Sequence, residues 1–182
     1  MNTRKVARPK AGLAAQEGHA TSNEVGQKGG ARAKKTGTRR TAQDAVGGWL
    51  VFRDGIVDEP PPARIERIRA GAQPSFLVGA AEALGVSRET IFRVVGLSVS
   101  TANRKIAKQE TLDPLVTERL ARLAVIEKQA DDAFGDPEVA TAWLRAENIG
   151  LGGYTPLSML DTDIGSREVE KILVAIAHGG VA

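Results

Sequence analysis

From residue 63 to the C-terminus, apolar residues recur at the spacing of an α-helix, and a glycine ends most of these runs. Between Leu77 and Leu84 they fall at i, i+3, i+4 and i+7, which places them on one helical face. Asp113-Pro114 and Asp136-Pro137 each put a good capping residue before a proline that fits the first helical position. No alternation of strands with helices is present. The pattern therefore predicts an all-α fold.

Capping residues and glycines divide this part of the chain into consecutive helices. Only 4% of the residues are aromatic, so the core must consist mostly of Ala, Val, Leu and Ile, which suits small helices better than a β-sandwich. The expected helices span 63–69, 75–84, 87–95, 100–108 and 114–134, then one from 137, a short turn at 155–156 and a last helix capped by Ser166. Their expected buried residues include Val116, Leu120, Leu123, Ala130, Val139, Trp143, Leu144, Val169, Ile172, Leu173 and Ile176.

The net charge of +3 conceals a basic N-terminal segment. Residues 1–45 carry a net charge of +7, whereas residues 46–182 carry −4. The basic segment contains no Phe, Tyr, Trp or Ile. Because it cannot bury enough apolar surface to offset its chain entropy, we expect a disordered tail. Two interpretations of the tail stay open, namely a tether to nucleic-acid phosphate and an extension that only adds solubility or stems from a wrong start codon.

Residues 46–62 are expected to form an arm or linker. Trp49–Val57 is the main aromatic and β-branched cluster, and Asp54-Gly55 within it is a possible turn. A short hairpin is one interpretation of this cluster, and a partly ordered arm is the other. Pro60–Pro62 ends it. The expected division of the chain is a tail over 1–45, the arm or linker over 46–62, a helix-turn-helix domain over 63–113 and a second helical domain over 114–182.

The residue inventory argues against catalysis and against a metal or cofactor site. Cysteine is absent, which excludes disulfides, thiolate zinc sites and cysteine nucleophiles. His19 and His178 lie too far apart to form a metalloprotease helix, and capping explains Asp131, Asp132 and Asp136. No apolar run approaches the roughly 18–20 residues of a membrane span, and none follows the basic N-terminus as in a secretory signal. We therefore expect a cytoplasmic protein that is not an enzyme.

Two overlapping pairs of helices could form a helix-turn-helix. In the first pair, 75–84 leads and 87–95 is the recognition helix. In the second pair, 87–95 leads and 100–108 is the recognition helix. Electrostatics favours the second pair, because 100–108 gathers three cations on one side, although Phe92 lies where a smaller residue would pack better. A helical bundle with ordinary solvated charges is the alternative to both.

The second pair makes specific predictions for helix 100–108. Val99, Ala102 and Ile106 should face the core. Arg104 could bind guanine in bidentate fashion, and neighbouring polar side chains could hydrogen-bond to base edges or phosphate. The expected DNA-binding residues are Ser100, Thr101, Asn103, Arg104, Lys105 and Lys108.

The C-terminal third carries a dense run of motif residues. In order, they are Phe134–Ala140, Ala142–Leu144, Leu151–Leu157 and Met159–Thr162, then Gly165, Val169, Leu173 and Ile176–Gly179. Their order and spacing resemble the toxin-binding domain of the Xre/MbcA/ParS antitoxins, the partners of RES-domain toxins. Upstream, Ser100–Lys105 and Thr117–Leu123 are similar to the Xre-like segment of that family. The resemblance spans roughly residues 65–182 and favours the second helix pair.

The resemblance implies an antitoxin of a type II toxin-antitoxin system. In that family the antitoxin covers the active site of an NAD-consuming toxin, and the complex represses its own promoter. The partners it implies are a RES-domain toxin and operator DNA, and we expect a homodimer without a cofactor. A tyrosine after a glycine pair fits an aromatic anchor, and the apolar patch beyond it extends the surface. The expected toxin-binding residues are Tyr154, Leu157, Leu160, Arg167, Lys171 and His178.

Two other functions compete with this one. A stand-alone helix-turn-helix regulator would bind an operator with a steep salt dependence and would need no protein partner. An enzyme is disfavoured, because no catalytic constellation is visible in the sequence.

Overall fold

The computed structural model describes the backbone of residues 31–179 and the side chains from residue 42 onward. Within these residues every regular element is helical, which confirms the all-α prediction. The α-helices are α1 (Ala31–Asp58), α2 (Pro61–Ala70), α3 (Ser75–Ala83), α4 (Arg88–Val94), α5 (Val99–Lys108), α6 (Pro114–Phe134), α7 (Pro137–Arg145), α8 (Pro156–Met159) and α9 (Asp163–Ala177), with a 3₁₀ turn at Ile149–Leu151. None of the described helices is both long and apolar enough to cross a bilayer.

Helix α1 corrects the expectation for the N-terminal part. The segment 49–57 is neither a hairpin nor an arm, because Trp49, Phe52 and Ile56 recur at helical spacing and are all buried. Asp54-Gly55 is accordingly not a turn but part of the helix. The helix begins at Ala31, so residues 31–45 are helical where a disordered tail was expected. Residues 1–30, which hold the rest of that tail and His19, lie outside the described residues.

Helix α1 packs closely across α3. The rings of Phe52 and Phe76 stack with centroids 4.8 Å apart. A Cβ atom at Gly79 would overlap the carbonyl oxygen of Ala45 and would lie 2.7 Å from the Cβ of Trp49. The missing side chain at Gly79 is therefore what lets the two helix backbones approach each other.

Helix α6 is the centre of the molecule. As predicted, Val116, Leu120, Leu123 and Ala130 form its buried stripe. Helices α1, α2, α7 and α9 all pack against it. The backbone amide of Ala72 donates a 2.9 Å hydrogen bond to the buried hydroxyl of Thr117, which fixes the segment after α2 to the first turns of α6. The two halves of the chain are thus built on one shared helix.

Several helix starts differ from the predicted ones. Helix α5 is capped by Ser98 rather than Ser100, and the Thr101 amide donates to the Ser98 hydroxyl at 3.3 Å. Helix α9 is capped by Thr162 rather than Ser166, which lies buried one turn further along. The cap predicted at Asp136 is confirmed, because its Oδ1 accepts from the amide of Glu138 at 2.8 Å. In each corrected case a hydroxyl lay two to four residues upstream of the predicted cap and could reach the free amides of the first turn.

The buried side of α7 also differs from the prediction. Val139 is 48% exposed, and Ala140 takes its place in the core beside Leu144. Trp143 is half-buried, and its ring lies against Phe134 with centroids 5.5 Å apart. The core stripe of α7 is rotated by about one residue relative to the predicted one.

Candidate DNA-binding and toxin-binding surfaces

Helices α4 and α5, joined by a short turn, have the connectivity of a helix-turn-helix. Ser87 caps α4, and its hydroxyl accepts from the amide of Thr90. Gly96 begins the turn with a φ of 72°, which favours glycine. Arg119 of α6 donates a 3.2 Å hydrogen bond to the carbonyl of Val95, which holds the turn against the core.

Helix α4 is more enclosed than α5, which bears on the choice of the recognition helix. Helix α4 buries Ile91, Phe92 and Val94. The sequence pattern favoured a smaller residue at position 92, but the core accommodates the Phe92 ring. A pocket of about 150 Å³ separates α4 from α8, so the C-terminal half covers this side of α4. Helix α5 exposes Ser100 and Asn103 to solvent, while α4 exposes Arg88, Glu89 and Arg93 but has α8 packed against it. A helix that enters the major groove needs such a free outer face.

Lys105 was predicted to lie outward for DNA binding, and the structure corrects this expectation. Its side chain is buried, and Nζ donates a 3.0 Å hydrogen bond to the carbonyl of Thr111 and lies 3.4 Å from the carboxylate of Asp113. The long stem of a lysine can pack on α5 while its ammonium group reaches the loop before α6. Lys105 therefore holds this loop to α5 and does not belong to the DNA-facing side.

The other predicted DNA-binding residues lie at the surface or close to it. Arg104 is exposed and forms an ion pair with Glu110, and Nζ of Lys108 is 3.9 Å from the same carboxylate. Ser100 and Thr101 lie in the first turn, where both hydroxyls hydrogen-bond to the hydroxyl of Ser98.

The remaining core predictions for α5 fare differently. Ala102 is fully buried and Ile106 is half-buried, as expected. Val99 was also expected in the core, but it is 46% exposed. The helix begins at Val99, where no preceding turn covers its side chain.

The predicted toxin-binding residues divide into exposed and buried ones. Leu157 and Leu160 are buried, and α8 packs between α4, α7 and α9. Their side chains belong to the core, which corrects their assignment to a partner surface. Tyr154, in contrast, is 63% exposed at the end of a tight turn. The backbone amide of Asn148 donates to the carbonyl of Tyr154 at 3.1 Å and closes this turn.

Ile149 is a surface residue that the sequence pattern did not predict. It lies in the same turn as Tyr154 and is 97% exposed, more than any other large apolar residue in the described part of the chain. The side chain of Asn148 fixes its backbone by accepting from the Gly150 amide at 2.7 Å. An isoleucine outside every helical stripe and next to a glycine was the signal that could have identified it.

The predicted residues of α9 share its solvent side. Arg167 pairs with Asp163 and Lys171 with Glu168, at 2.8 and 2.7 Å. The ring Nδ1 of His178 lies 2.8 Å from the carbonyl of Val174. Together with two exposed apolar residues, these positions recur every three or four residues and form a single exposed stripe along the helix. The stripe consists of Ile164, Arg167, Lys171, Val174 and His178.

A buried polar cluster joins α1 to α6. Arg53 binds the carboxylates of Glu127 and Asp131 at 3.0 and 2.8 Å, and Trp49 donates to Glu127. Burial raises the pKa of Glu127 to about 7, although Arg53 and Trp49 both favour its charged form. Burial also raises the pKa of Asp131. Its ion pair with Arg53 shows that this carboxylate joins α1 to α6 and does not merely cap a helix end. Among the described residues no group of three His, Cys, Asp or Glu side chains could hold a metal ion.

Comparisons with known proteins agree with this division into two surfaces. Residues 63–125 match the family model described as the antitoxin Xre-like helix-turn-helix domain. Residues 129–179 match the model of the antitoxin Xre/MbcA/ParS C-terminal toxin-binding domain. The first model contains α4 and α5, and the second contains the exposed turn and α9.

Curated relatives share this similarity. A Prs ADP-ribosylating antitoxin of Sphingobium sp. is 32% identical over 131 residues, which cover 67% of this chain and 82% of that protein. An Antitoxin Xre of Photorhabdus laumondii is 32% identical over 50% of this chain and 63% of its own length. An Antitoxin Xre of Pseudomonas putida is 32% identical over 46% of this chain and 52% of its own length. The chain thus spans less than two thirds of the latter two relatives.

Proposed function

Because this chain belongs to the Xre/MbcA/ParS family of antitoxins, we propose that it neutralises a RES-type toxin and represses its own operon. The toxin consumes NAD, and the antitoxin covers its active site. The complex binds operator DNA through α4 and α5. The chain acts in the cytoplasm by binding and carries out no catalysis of its own.

The observation that carries the toxin-binding half is the exposed turn within residues 129–179. Ile149 is 97% and Tyr154 63% exposed, whereas the following leucines, Leu157 and Leu160, are buried. Removing an isoleucine and a tyrosine from water favours association, and such anchors commonly dominate the energy of an interface. The turn is already held by hydrogen bonds to Asn148, so little conformational entropy is lost when it binds a partner.

The exposed stripe of α9 completes the proposed toxin-binding surface. It begins with Ile164 and includes Val174, which are 76% and 58% exposed. Arg167, Lys171 and His178 lie between or beside them and supply polar contacts. Leu157 and Leu160 are not part of this surface, because they are buried beneath it.

The name of the Sphingobium relative supports the proposed chemistry of the toxin. It combines the word antitoxin with ADP-ribosylation of Prs. An enzyme that transfers ADP-ribose takes it from a donor such as NAD, so a toxin of this kind consumes NAD. A surface that covers the NAD pocket would stop the reaction without any chemistry by the antitoxin.

We propose that the two domains share α6. The DNA-binding domain consists of residues 63–113 together with the start of α6, and the toxin-binding domain consists of the rest of α6 and the chain that follows it, to residue 182. We also propose that the chain forms a homodimer, since helix-turn-helix proteins commonly bind two half-sites as symmetric pairs.

Co-expression tests this function directly. The chain is produced from one plasmid, and the product of the gene adjacent to its own is produced from another, inducible plasmid. We expect the adjacent product to arrest growth alone, to be harmless together with this chain, and to co-purify with it. Growth arrest that persists in its presence, together with specific binding to its own promoter, would instead indicate a stand-alone regulator.

A further inference from the structure

Few charged groups on α5 are free to read DNA bases. Lys105 is turned inward to Thr111 and Asp113. Arg104 is held by Glu110, and Lys108 lies beside the same carboxylate. A guanidinium engaged by a carboxylate must break that pair before it can bind guanine. The outer face of α5 therefore presents less charge than its sequence suggests.

Four uncharged side chains of α5 are exposed, namely Val99, Ser100, Asn103 and Ala107. The Ser100 hydroxyl is engaged by Ser98, and Ala107 offers only a methyl group near the end of the helix, so Val99 and Asn103 are the two larger ones left to contact bases. Val99 is 46% exposed, and Asn103 is exposed and makes no side-chain hydrogen bond to any described residue. They are four residues apart and lie one above the other on the same side of the helix. A rise of about 1.5 Å per residue separates them by roughly 6 Å along its axis. That distance corresponds to about two base-pair steps of 3.4 Å.

The chemistry of these two residues fits an A·T-containing sequence. In the major groove, adenine presents the N7 acceptor and the N6 donor, which an asparagine amide can bind together. Thymine presents its C5 methyl group, which accepts an apolar contact. An exposed valine in the first turn of a helix contributes nothing to the core, but it can bury that methyl group.

We propose that Asn103 recognises an adenine, and Val99 a thymine methyl group, within about two base pairs of each other in each operator half-site. This inference rests on the proposed DNA-binding function and on α5 as its recognition helix. Arg104 and Lys108 then contribute to phosphate attraction more than to base recognition. The operator specificity of the chain is therefore directed to A·T pairs rather than to guanine.

The experiment begins with the duplex that the chain protects upstream of its own gene. Each thymine in a protected half-site is replaced in turn by deoxyuridine, which lacks only the methyl group. Wild-type protein should lose about fourfold in affinity at one thymine, as expected for one buried methyl group. Val99→Ala should lose a similar amount on the unmodified duplex and nothing further at that deoxyuridine. Replacing one adenine by 7-deazaadenine should likewise weaken wild-type protein and leave Asn103→Ala unaffected.

Val51→Ala is the matched control, because Val51 is 75% exposed on α1 and should not contact DNA. It should bind every duplex as the wild type does. If deoxyuridine weakens wild type and Val99→Ala equally at every position, or weakens neither, the thymine contact is wrong. If wild type protects no duplex at all, the DNA-binding function itself is overturned, and the proposed base contacts with it.

Discussion

The indole Nε1 of Trp49 on α1 donates a 2.9 Å hydrogen bond to the carboxylate of Glu127 on α6. Glu127 lies between the two regions that match the family models, which end at residue 125 and begin again at 129. Helix α1 precedes both regions, yet its tryptophan is fully buried. The N-terminal helix is thus an integral part of the core that supports both proposed surfaces.

This buried pair predicts a pH dependence of stability. Because burial raises the pKa of Glu127 from 4.5 to about 7, the folded protein binds this proton more tightly than the unfolded chain. The stabilisation that the folded state gains from holding this proton is fully present below pH 4.5 and is lost as the pH rises toward 7. We expect Glu127 to lower the free energy of unfolding by on the order of 3 kcal/mol between these limits. Urea unfolding at pH 4.5, 6 and 7.5 measures it.

Glu127→Gln provides the comparison for this measurement, since an amide oxygen still accepts from Trp49 but does not titrate. Its stability should depend less steeply on pH than that of the wild type over the same interval. Glu118→Gln on the same helix, where the carboxylate pairs with Arg122 near the surface, should keep the wild-type dependence. Parallel profiles for wild type and Glu127→Gln would show that the burial of Glu127 does not govern its titration.

The close crossing of α1 and α3 predicts a sharp difference between two glycines. A methyl group at Gly79 meets the backbone of Ala45 and the side chain of Trp49, so Gly79→Ala should separate the helices and lower stability by about 1–3 kcal/mol. Gly47→Ala on α1 meets nothing within 4 Å and should be neutral or stabilising by up to about 1 kcal/mol. Urea midpoints compare them, and equal midpoints would contradict the observed packing.

Two lysines of α5 should behave differently in DNA binding. Lys108 is exposed, so Lys108→Ala should reduce the slope of log affinity against log salt concentration by about 1 without loss of stability. Lys105 is buried and bonded to Thr111, so Lys105→Met should keep the slope and cost about 1 kcal/mol of stability. Filter binding at several salt concentrations distinguishes them. A reduced slope for Lys105→Met would place its ammonium group on DNA instead.

The helices of the C-terminal two thirds could be predicted from local signals. The stripe of α6 repeats at helical spacing, and Asp136 and Gly135 mark the ends of two helices, so sequence alone located them. Helix α1 could not be recognised in this way. Its buried residues are also those typical of strands, and Asp54-Gly55 imitates a turn. Whether this segment forms a helix or a strand is decided only by its packing against α3 and α6.

The candidate site shows the same limit. The exposure of Tyr154 followed from the glycines before it, but the inward turn of Lys105 depends on a carbonyl six residues away, which helical periodicity does not reveal. Leu157 and Leu160 were assigned to a partner because they continue an apolar stretch. The core that they fill is completed by α9, which follows directly, and by α4, which is more than 60 residues away in the sequence.

The central claim is that the turn carrying Ile149 and Tyr154 binds the toxin. The most direct test is the NAD-consuming activity proposed for the product of the adjacent gene, titrated with wild type, with the double variant Ile149→Ala/Tyr154→Ala, and with Val51→Ala as an exposed control. We predict equal inhibition by wild type and Val51→Ala, and a loss of at least about 30-fold in inhibitory affinity for the double variant at unchanged stability. Undiminished inhibition by the double variant would contradict the proposed surface.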